Sequence, residues 1–278
     1  SGTDVTLFDA NDITLGAINA SGGLTVAATT GSITGSTAGI QFVVVGGLSD
    51  FAAAGSVSLA HALNQFNGWV DVSGTDVELK GNLDLIFGEV AATTLSVEIL
   101  GNISQNASAL VVSGDTVLVA TGNNDITLGN ATNSFGGVVS IIGFNVTLFN
   151  SIGLELGDVD VNSLNLEADG SGDIVQTAGS SIAVRLESVF TATGDNVVLN
   201  AAANNFQGSV SADGMTFVLY NSAWIRLGQV ATQTLTVEAF NAGGIIQDAG
   251  SAVTVSGTAV FTAVDDIVNL FSKKKILL

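Results

Sequence analysis

The chain repeats itself at a nearly fixed interval. A block of alternating apolar residues that ends in Leu-Gly or Phe-Gly begins at Val5, Val77, Val146 and Phe217. Successive blocks thus begin about 70 residues apart, a period typical of repeat architectures. Because each repeat must bury its apolar face against its neighbours, such a period predicts a stacked repeat protein.

Further landmarks recur at the same spacing. The glycines that close the first block are Gly16, Gly88, Gly157 and Gly228. The phenylalanines of an Asn-x-Phe-x-Gly string are Phe66, Phe135 and Phe206. The landmarks predict a single repeat domain over residues 1–278, divided approximately into 5–76, 77–145, 146–216 and a truncated repeat 217–278.

Inside each repeat the apolar residues alternate with polar ones. Val146 and Leu148, and likewise Leu164 and Leu166, are separated by single polar residues. A period of two, with Gly, Asn and Asp between the runs, indicates strands of about five residues. Strand-like segments follow one another too closely for helical crossovers, so the fold is expected to be all-β.

Two architectures fit strands at this spacing: an antiparallel sandwich or barrel, and a right-handed parallel β-helix, or β-solenoid. The solenoid is favoured, since a sandwich would not require the same sequence in every repeat. The string Asn11–Gly16 returns as Asn124–Gly129, but at a different position within the repeat. The residue of the first repeat that corresponds to the isoleucine of the second string is Val57, and not Ile13. Two coils of about 22 residues would explain this offset. The chain is thus expected to form about twelve coils, three per repeat, so that Phe66, Phe135 and Phe206 do not touch.

The strings Asn-Asp-Ile-Thr-Leu-Gly, Asn-x-Phe-x-Gly-x-Val-Ser and Gly-Asp-Ile-Val-Gln, at this spacing, resemble the repeat regions of filamentous-haemagglutinin-like exoproteins. The resemblance covers essentially residues 3–270. Those proteins are bacterial surface adhesins, exported by two-partner secretion or as autotransporters. The resemblance implies a β-helix shaft, an extracellular place at the bacterial cell surface, and adhesion. The partners it implies are other copies or adjacent segments of the same protein, and glycans or proteins of a host or cell surface.

Charge and cysteine content exclude several classes of partner. There are 25 acidic and 6 basic residues, which gives a net charge of −19. Such a surface repels nucleic acid and anionic membranes, so neither is expected to bind. The uncharged stretch from Ile13 to Ser49 is long enough to span a bilayer but has the alternation of strands. Without cysteine, the chain has neither disulfides nor thiolate metal sites.

One short segment has the composition of a calcium site. Asp158, Asp160 and Asn162 alternate along a strand, so they would share its outward face and offer three oxygen ligands. The corresponding positions of other repeats lack this pattern (Glu89 and Ala91; Gln229 and Ala231). Solvated outward side chains are therefore the preferred interpretation, and no metal or cofactor is predicted.

The segment from Asp169 to Asp173 starts like a calcium loop. However, Ile174 and Ser180 stand where that loop needs Gly and Glu, so a turn is expected.

No set of residues predicts catalysis. His61 is the only histidine, and no nucleophile is suggested beside it, so it is expected in a turn or on the surface. A polysaccharide-cleaving β-helix would need acids clustered with basic residues on one face. Lys80, Arg185 and Arg226 are instead scattered through the repeats. The chain is not expected to be an enzyme, and no catalytic residue is assigned.

The leading expectation is a structural shaft segment of a large extracellular adhesin. A self-assembling extracellular fibre or sheath subunit is the alternative, and a carbohydrate-binding or carbohydrate-cleaving β-helix is a third possibility. The basic run Lys273–Lys275 departs from the repeat, and neither end of the sequence resembles a solenoid cap.

Overall fold

The computed structural model describes residues 2–36, 42–170, 172–241, 243–264 and 267–270. Within these ranges the chain forms strands, turns and bends only, and it contains no helix that is long and apolar enough to cross a membrane. The basic run at 273–275 lies outside the described residues.

The strands are short where Gly, Asn or Asp interrupts the alternation and long where the chain passes a corner without a break. In chain order they are β1 (Val5–Asp9), β2 (Ile13–Leu15), β3 (Ile18–Ala20), β4 (Leu24–Ala28), β5 (Ile33–Gly35), β6 (Val43–Val45), β7 (Ser49–Ala53), β8 (Val57–Leu59), β9 (Gln65–Phe66), β10 (Trp69–Gly81), β11 (Leu85–Ile99), β12 (Ile103–Gln105), β13 (Leu110–Val112), β14 (Thr116–Ala120), β15 (Ile126–Leu128), β16 (Ser134–Phe135), β17 (Val138–Ile142), β18 (Asn145–Asn150), β19 (Leu154–Val161), β20 (Ser163–Ala168), β21 (Ile174–Gln176), β22 (Ile182–Val184), β23 (Ser188–Leu199), β24 (Asn205–Phe206), β25 (Ser209–Asn221), β26 (Ile225–Thr232), β27 (Thr234–Ala239), β28 (Ile245–Gln247), β29 (Val253–Val255), β30 (Ala259–Ala263) and β31 (Val268–Asn269).

The chain divides into two compact units, residues 1–137 with 142–144, and residues 138–141 with 145–278. In the first unit, Val5, Leu24, Ser49 and Val70 occupy the same place in successive coils, on β1, β4, β7 and β10. The intervals between these partners vary from coil to coil, but they lie close to the coil length expected from the sequence. The stack continues through β11, β13 and β16, so seven described strands follow one another.

The second unit is built in the same way. Val146, Leu164, Ser188 and Val210 stack on β18, β20, β23 and β25, and β26 and β29 continue the series to six described strands. All described strand pairs within each unit are parallel. The parallel β-solenoid and its expected number of about twelve coils are therefore confirmed, and the antiparallel sandwich is excluded.

One sequence repeat is longer than three coils of the stack by one strand. Leu154, Ile174, Val197 and Phe217 stack on one another, so three coils lead from Leu154 to Phe217. The repeat itself is longer, because the counterpart of Phe217 in the preceding repeat is Val146, on the strand before that of Leu154. In the first unit Val77 likewise stacks on Val57, Ile33 and Ile13, and not on the strand of its counterpart Val5.

The inward side chains of each unit form an apolar core of Val, Leu, Ile and Phe. The three landmark phenylalanines are buried, and two of them meet another Phe across the interior of their own coil. The Phe51–Phe66 and Phe190–Phe206 ring centroids are each 6.1 Å apart in an edge-to-face arrangement. In register the three pair with valines one coil earlier and not with one another (Val45, Val112 and Val184).

Buried amide side chains hold one corner of the coils. Asn64, Asn133 and Asn204 are buried, and their Oδ1 atoms accept backbone N–H bonds (from Val43, Leu110 and Ile182). The Asn133 amide also exchanges two hydrogen bonds with Gln105, of 2.8 and 3.0 Å, and Asn204 exchanges two of 2.8 Å with Gln176. These pairs explain why Asn and Gln recur in the repeat.

The recurrent glycines allow close approach between coils. Val70 pairs with Phe87 but Val72 pairs with Val90, so β11 carries a bulge at this point. Asp71 fills the bulge by accepting a 2.7 Å hydrogen bond from the backbone N–H of Glu89, and a Cβ at Gly88 would overlap the Asp71 carboxylate. Gly157 and Gly228 stand in the same relation to the hydroxyls of Ser140 and Ser211, whereas Gly16 is exposed.

Candidate functional site

The three oxygen-bearing residues of the calcium hypothesis point outward or lie at the strand end, but each has its own partner. Asp158 accepts a 2.9 Å hydrogen bond from the backbone N–H of Ser181. Asp160 forms a 2.7 Å ion pair with Arg185, and Asn162 lies 3.4 Å from the Asn145 amide oxygen. A cation at this place would have to displace the Arg185 guanidinium. No group of three or more acidic, His or Cys side chains in the described ranges is arranged to hold a metal ion.

His61 and the arginines are engaged in local contacts. The Nδ1 atom of His61 accepts a 3.1 Å hydrogen bond from the backbone N–H of Leu63, in the turn that precedes β9. Arg226 forms a 2.6 Å ion pair with Asp248. Of the segment 169–173, for which a turn is expected, residue 171 lies outside the described residues, and Gly170 has a φ of 92°. These residues do not converge on a common site.

An acidic depression lies on the outer face of the first unit. Asp50 and Asp71 are paired in register on β7 and β10, and Glu89 follows on β11. Burial, and secondly the Asp71 carboxylate, raise the pKa of Asp50 above its ordinary value of 3.8. Because the carboxylates stand on adjacent strands, their mutual repulsion lowers the stability of the folded chain.

An apolar cluster stands on the same unit, and we call it the Trp69 cluster. It consists of Trp69, Leu83, Ile86 and Leu100, all of which are large hydrophobic residues with exposed side chains. Trp69 and Ile86 are register partners on β10 and β11, and Leu83 and Leu100 stand in successive turns. Trp69 is 48 % exposed and Leu100 59 %, so a third or more of a bulky apolar surface faces solvent.

Three members of the Trp69 cluster line a groove of 470 Å³, and Trp69 itself stands beside it as the register partner of Ile86. Leu83, Ile86 and Leu100 form its apolar lining, and Asn67, Asp84 and Asn124 are among its polar lining residues. Its volume falls in the range of about 300–1,000 Å³ that small-molecule sites occupy. None of the described residues that line it is lysine, arginine or histidine.

Sequence reasoning from the repeats did not find this cluster, because it concentrated on what the repeats share. The signal lies where they differ. The counterparts of Trp69 are Val138 and Ser209, and those of Ile86 are Glu155 and Arg226. Leu100, Asp169 and Phe240 make the same backbone hydrogen bond to the coil before. Of these three sets of positions, only the one formed by Trp69, at the end of the first repeat, and by Ile86 and Leu100 of the second is apolar throughout.

Comparison with known proteins places the chain by its repeats. A family model described as repeats of unknown function (DUF5649) matches residues 2–73, 74–142, 143–213 and 215–270. These four matches agree with the four repeats expected from the sequence. No curated protein and no solved structure shows significant similarity to the chain. Since the four matches cover nearly all of its length, the chain belongs to the DUF5649 repeat family.

Proposed function

We propose that this chain is a non-enzymatic shaft segment of a large extracellular bacterial surface adhesin, similar to filamentous-haemagglutinin-like exoproteins. The observation that carries the proposal is the continuous stack of parallel coils within each unit. Every coil donates and accepts backbone hydrogen bonds to the next, and its inward side chains fill the space between them. Such a stack supplies length and stiffness without needing a reactive site.

Side-chain ladders at the corners support the same role. Asp12 accepts a hydrogen bond from the N–H of Ser32, and Ser32 Oγ accepts one from the N–H of Ser56. Asp84 and Asn102 repeat this relation one coil apart in the next repeat. Each coil thus satisfies backbone groups of its neighbour that would otherwise need water, which favours resistance to local unfolding and proteolysis.

Cell-surface location tests the shaft proposal. Antibodies raised against the purified chain should label intact, non-permeabilised cells of the source bacterium, and external protease should remove the label. Labelling only after permeabilisation would contradict the proposal. Negative-stain microscopy of the purified chain should show separate particles that do not join into filaments.

A self-assembling fibre is the second candidate, and Gln247 favours it. Gln247 is the counterpart of Gln105 and Gln176, and it is 5 % exposed. Its Oε1 atom has no hydrogen-bond partner among the described residues. An amide outside the described residues would complete the pair, and the fibre candidate requires that a coil of a neighbouring copy supplies it. Regular filaments in the same micrographs would favour the fibre over the shaft.

A further inference from the structure

We propose that the groove beside the Trp69 cluster binds a non-anionic oligosaccharide. This proposal goes beyond the shaft function, and neither depends on the other. It starts from the repeats, which act as internal controls for one another. A residue needed for stacking recurs, as Phe66, Phe135 and Phe206 do, whereas Trp69 does not. A single exposed indole is ordinary, but Trp69 stands in a cluster with three other large exposed apolar side chains, so a binding role accounts for its place.

The polar groups of the groove select hydrogen-bond donors. Asn67 donates its amide N–H to Val45 O at 2.9 Å, and Asn124 donates its amide N–H to Thr121 O at 2.6 Å. One Asp84 oxygen, Oδ1, accepts the N–H of Asn102 at 2.8 Å. Among the described residues, three acceptors are left for a ligand (the amide oxygens of the two asparagines and the second oxygen of Asp84), together with the second N–H of each amide. A ligand that fits must therefore offer several donors.

Sugar rings combine the two properties that the groove requires. Their hydroxyls donate hydrogen bonds, and their C–H faces pack on exposed apolar side chains, here the planar Trp69 indole and the branched Leu100 side chain. The charge decides between classes of saccharide. Asp84 lies in the groove, and the acidic depression of Asp50, Asp71 and Glu89 lies on the same unit. In the part of the chain that the structure describes, no basic residue lines either surface. Anionic polysaccharides are repelled, whereas neutral and amine-bearing chains are not.

The binding test uses the full chain and four defined hexasaccharides in isothermal titration calorimetry. N-acetylchitohexaose and cellohexaose are the neutral probes, glucosamine hexaose is the cationic probe, and hexagalacturonate is the anionic one. We expect binding of at least one neutral or cationic probe and none of hexagalacturonate. Binding by the neutral probes alone would assign the apolar face as the main contact, and binding by glucosamine hexaose alone would assign the carboxylates.

Variants that copy another repeat locate the site. Ile86→Glu and Leu100→Asp introduce the residues that the third repeat carries at these positions, so the coil should still form. Each of the three single substitutions, Ile86→Glu, Leu100→Asp and Trp69→Ala, should weaken saccharide binding at least tenfold. Trp224→Ala removes a similarly exposed indole from the second unit and should leave affinity unchanged. Circular dichroism would verify that every variant folds.

Trp224→Ala provides a second, direct signal. The chain has only two tryptophans, so Trp69 becomes its sole indole. Saccharide binding should shift the emission of this variant to the blue. The proposal is overturned if no saccharide binds at millimolar concentration, if only hexagalacturonate binds, or if the three groove variants bind as the parent does. Self-association of the parent that the groove variants abolish, without any saccharide binding, would assign the cluster to contact between copies and overturn the proposal as well.

Discussion

Buried amides are the residues whose chemistry most constrains the coil. An Asn or Gln inside a protein is tolerated when its donors and acceptors are paired, because an unpaired buried polar group costs about 1–3 kcal/mol. Asn204 meets this condition through Gln176 and the backbone N–H of Ile182. Asn and Gln therefore recur in the sequence because this corner of the coil requires side chains that pair with each other and with the backbone.

Gln176 and Gln247 allow a matched test of this pair. Both donate Nε2–H to a serine carbonyl oxygen, but only Gln176 also pairs with an asparagine. Gln176→Met should destabilise the second unit by about 2 kcal/mol more than Gln247→Met, since it removes the two hydrogen bonds that Gln176 shares with the buried Asn204 amide. Urea unfolding followed by circular dichroism measures the difference, and hydrogen exchange at Ile182 should quicken only in Gln176→Met. Equal effects of the two substitutions would show that the amide pair contributes nothing.

Asp50 provides a pH-dependent test at the same scale. Its raised pKa means that folding favours the protonated form, so this contribution to stability is complete below pH 3.8 and is lost as the pH rises through the raised pKa. Asp50→Asn should stabilise the chain at pH 7 by up to about 1 kcal/mol, a small gain because the site is partly solvated. The gain should vanish at pH 3. Asp158→Asn, away from the acidic depression, should show no such gain in the same thermal melts.

At the scale of the strand, alternation of apolar and polar residues was sufficient to predict orientation. Asp158 and Asp160 point outward and Val159 and Val161 inward, as the sequence indicated. Alternation could not predict the bulge at Gly88, because a bulge depends on the neighbouring strand and on Asp71 within it. It also could not predict the groove, since the side chains that line it come from several successive coils.

Three glycines should respond differently to substitution by alanine. A Cβ at Gly208 would overlap the carbonyl of Leu186, which is backbone and cannot turn aside. At Gly88 the obstacle is the Asp71 carboxylate, which can rotate away at the loss of its hydrogen bond to Glu89. A Cβ at Gly129 would meet nothing within 4 Å.

We therefore expect Gly208→Ala to cost about 3 kcal/mol or more, Gly88→Ala about 1–2 kcal/mol and Gly129→Ala within about 0.5 kcal/mol of zero. Urea midpoints of the three variants, measured side by side, give the order. A cost at Gly129 comparable to that at Gly208 would contradict the close approach of coils as the reason for these glycines.

For the whole molecule, the sequence predicted that parallel coils stack, but it did not predict which residues of successive repeats stand above one another. The offset between the two slots of the Asn-Asp-Ile-Thr-Leu-Gly string is accounted for by two coils of unequal length, from Ile13 to Ile33 and from Ile33 to Val57. The extra strand per repeat escaped prediction because coil lengths vary from coil to coil, and only the register reveals their sum. As a result, corresponding residues of consecutive repeats within a unit lie in different stacks, so a cluster such as that of Trp69 is not repeated along one stack.

Net charge should control whether copies of the chain associate. At pH 7 the chain carries a charge of −19, and this repulsion opposes contact through the Trp69 cluster or through strand edges. Near pH 4.1, the isoelectric point expected from its composition, the net repulsion disappears while the apolar surface remains. Sedimentation velocity should show a single species at pH 7 and larger, concentration-dependent species near pH 4.1, which disperse when the pH is returned to 7.

High salt at pH 7 should produce weaker association than pH 4.1 does, because it screens the charges without removing them. Filaments already present at pH 7 in low salt would show that specific contacts outweigh the repulsion, as the fibre candidate requires and the shaft candidate does not.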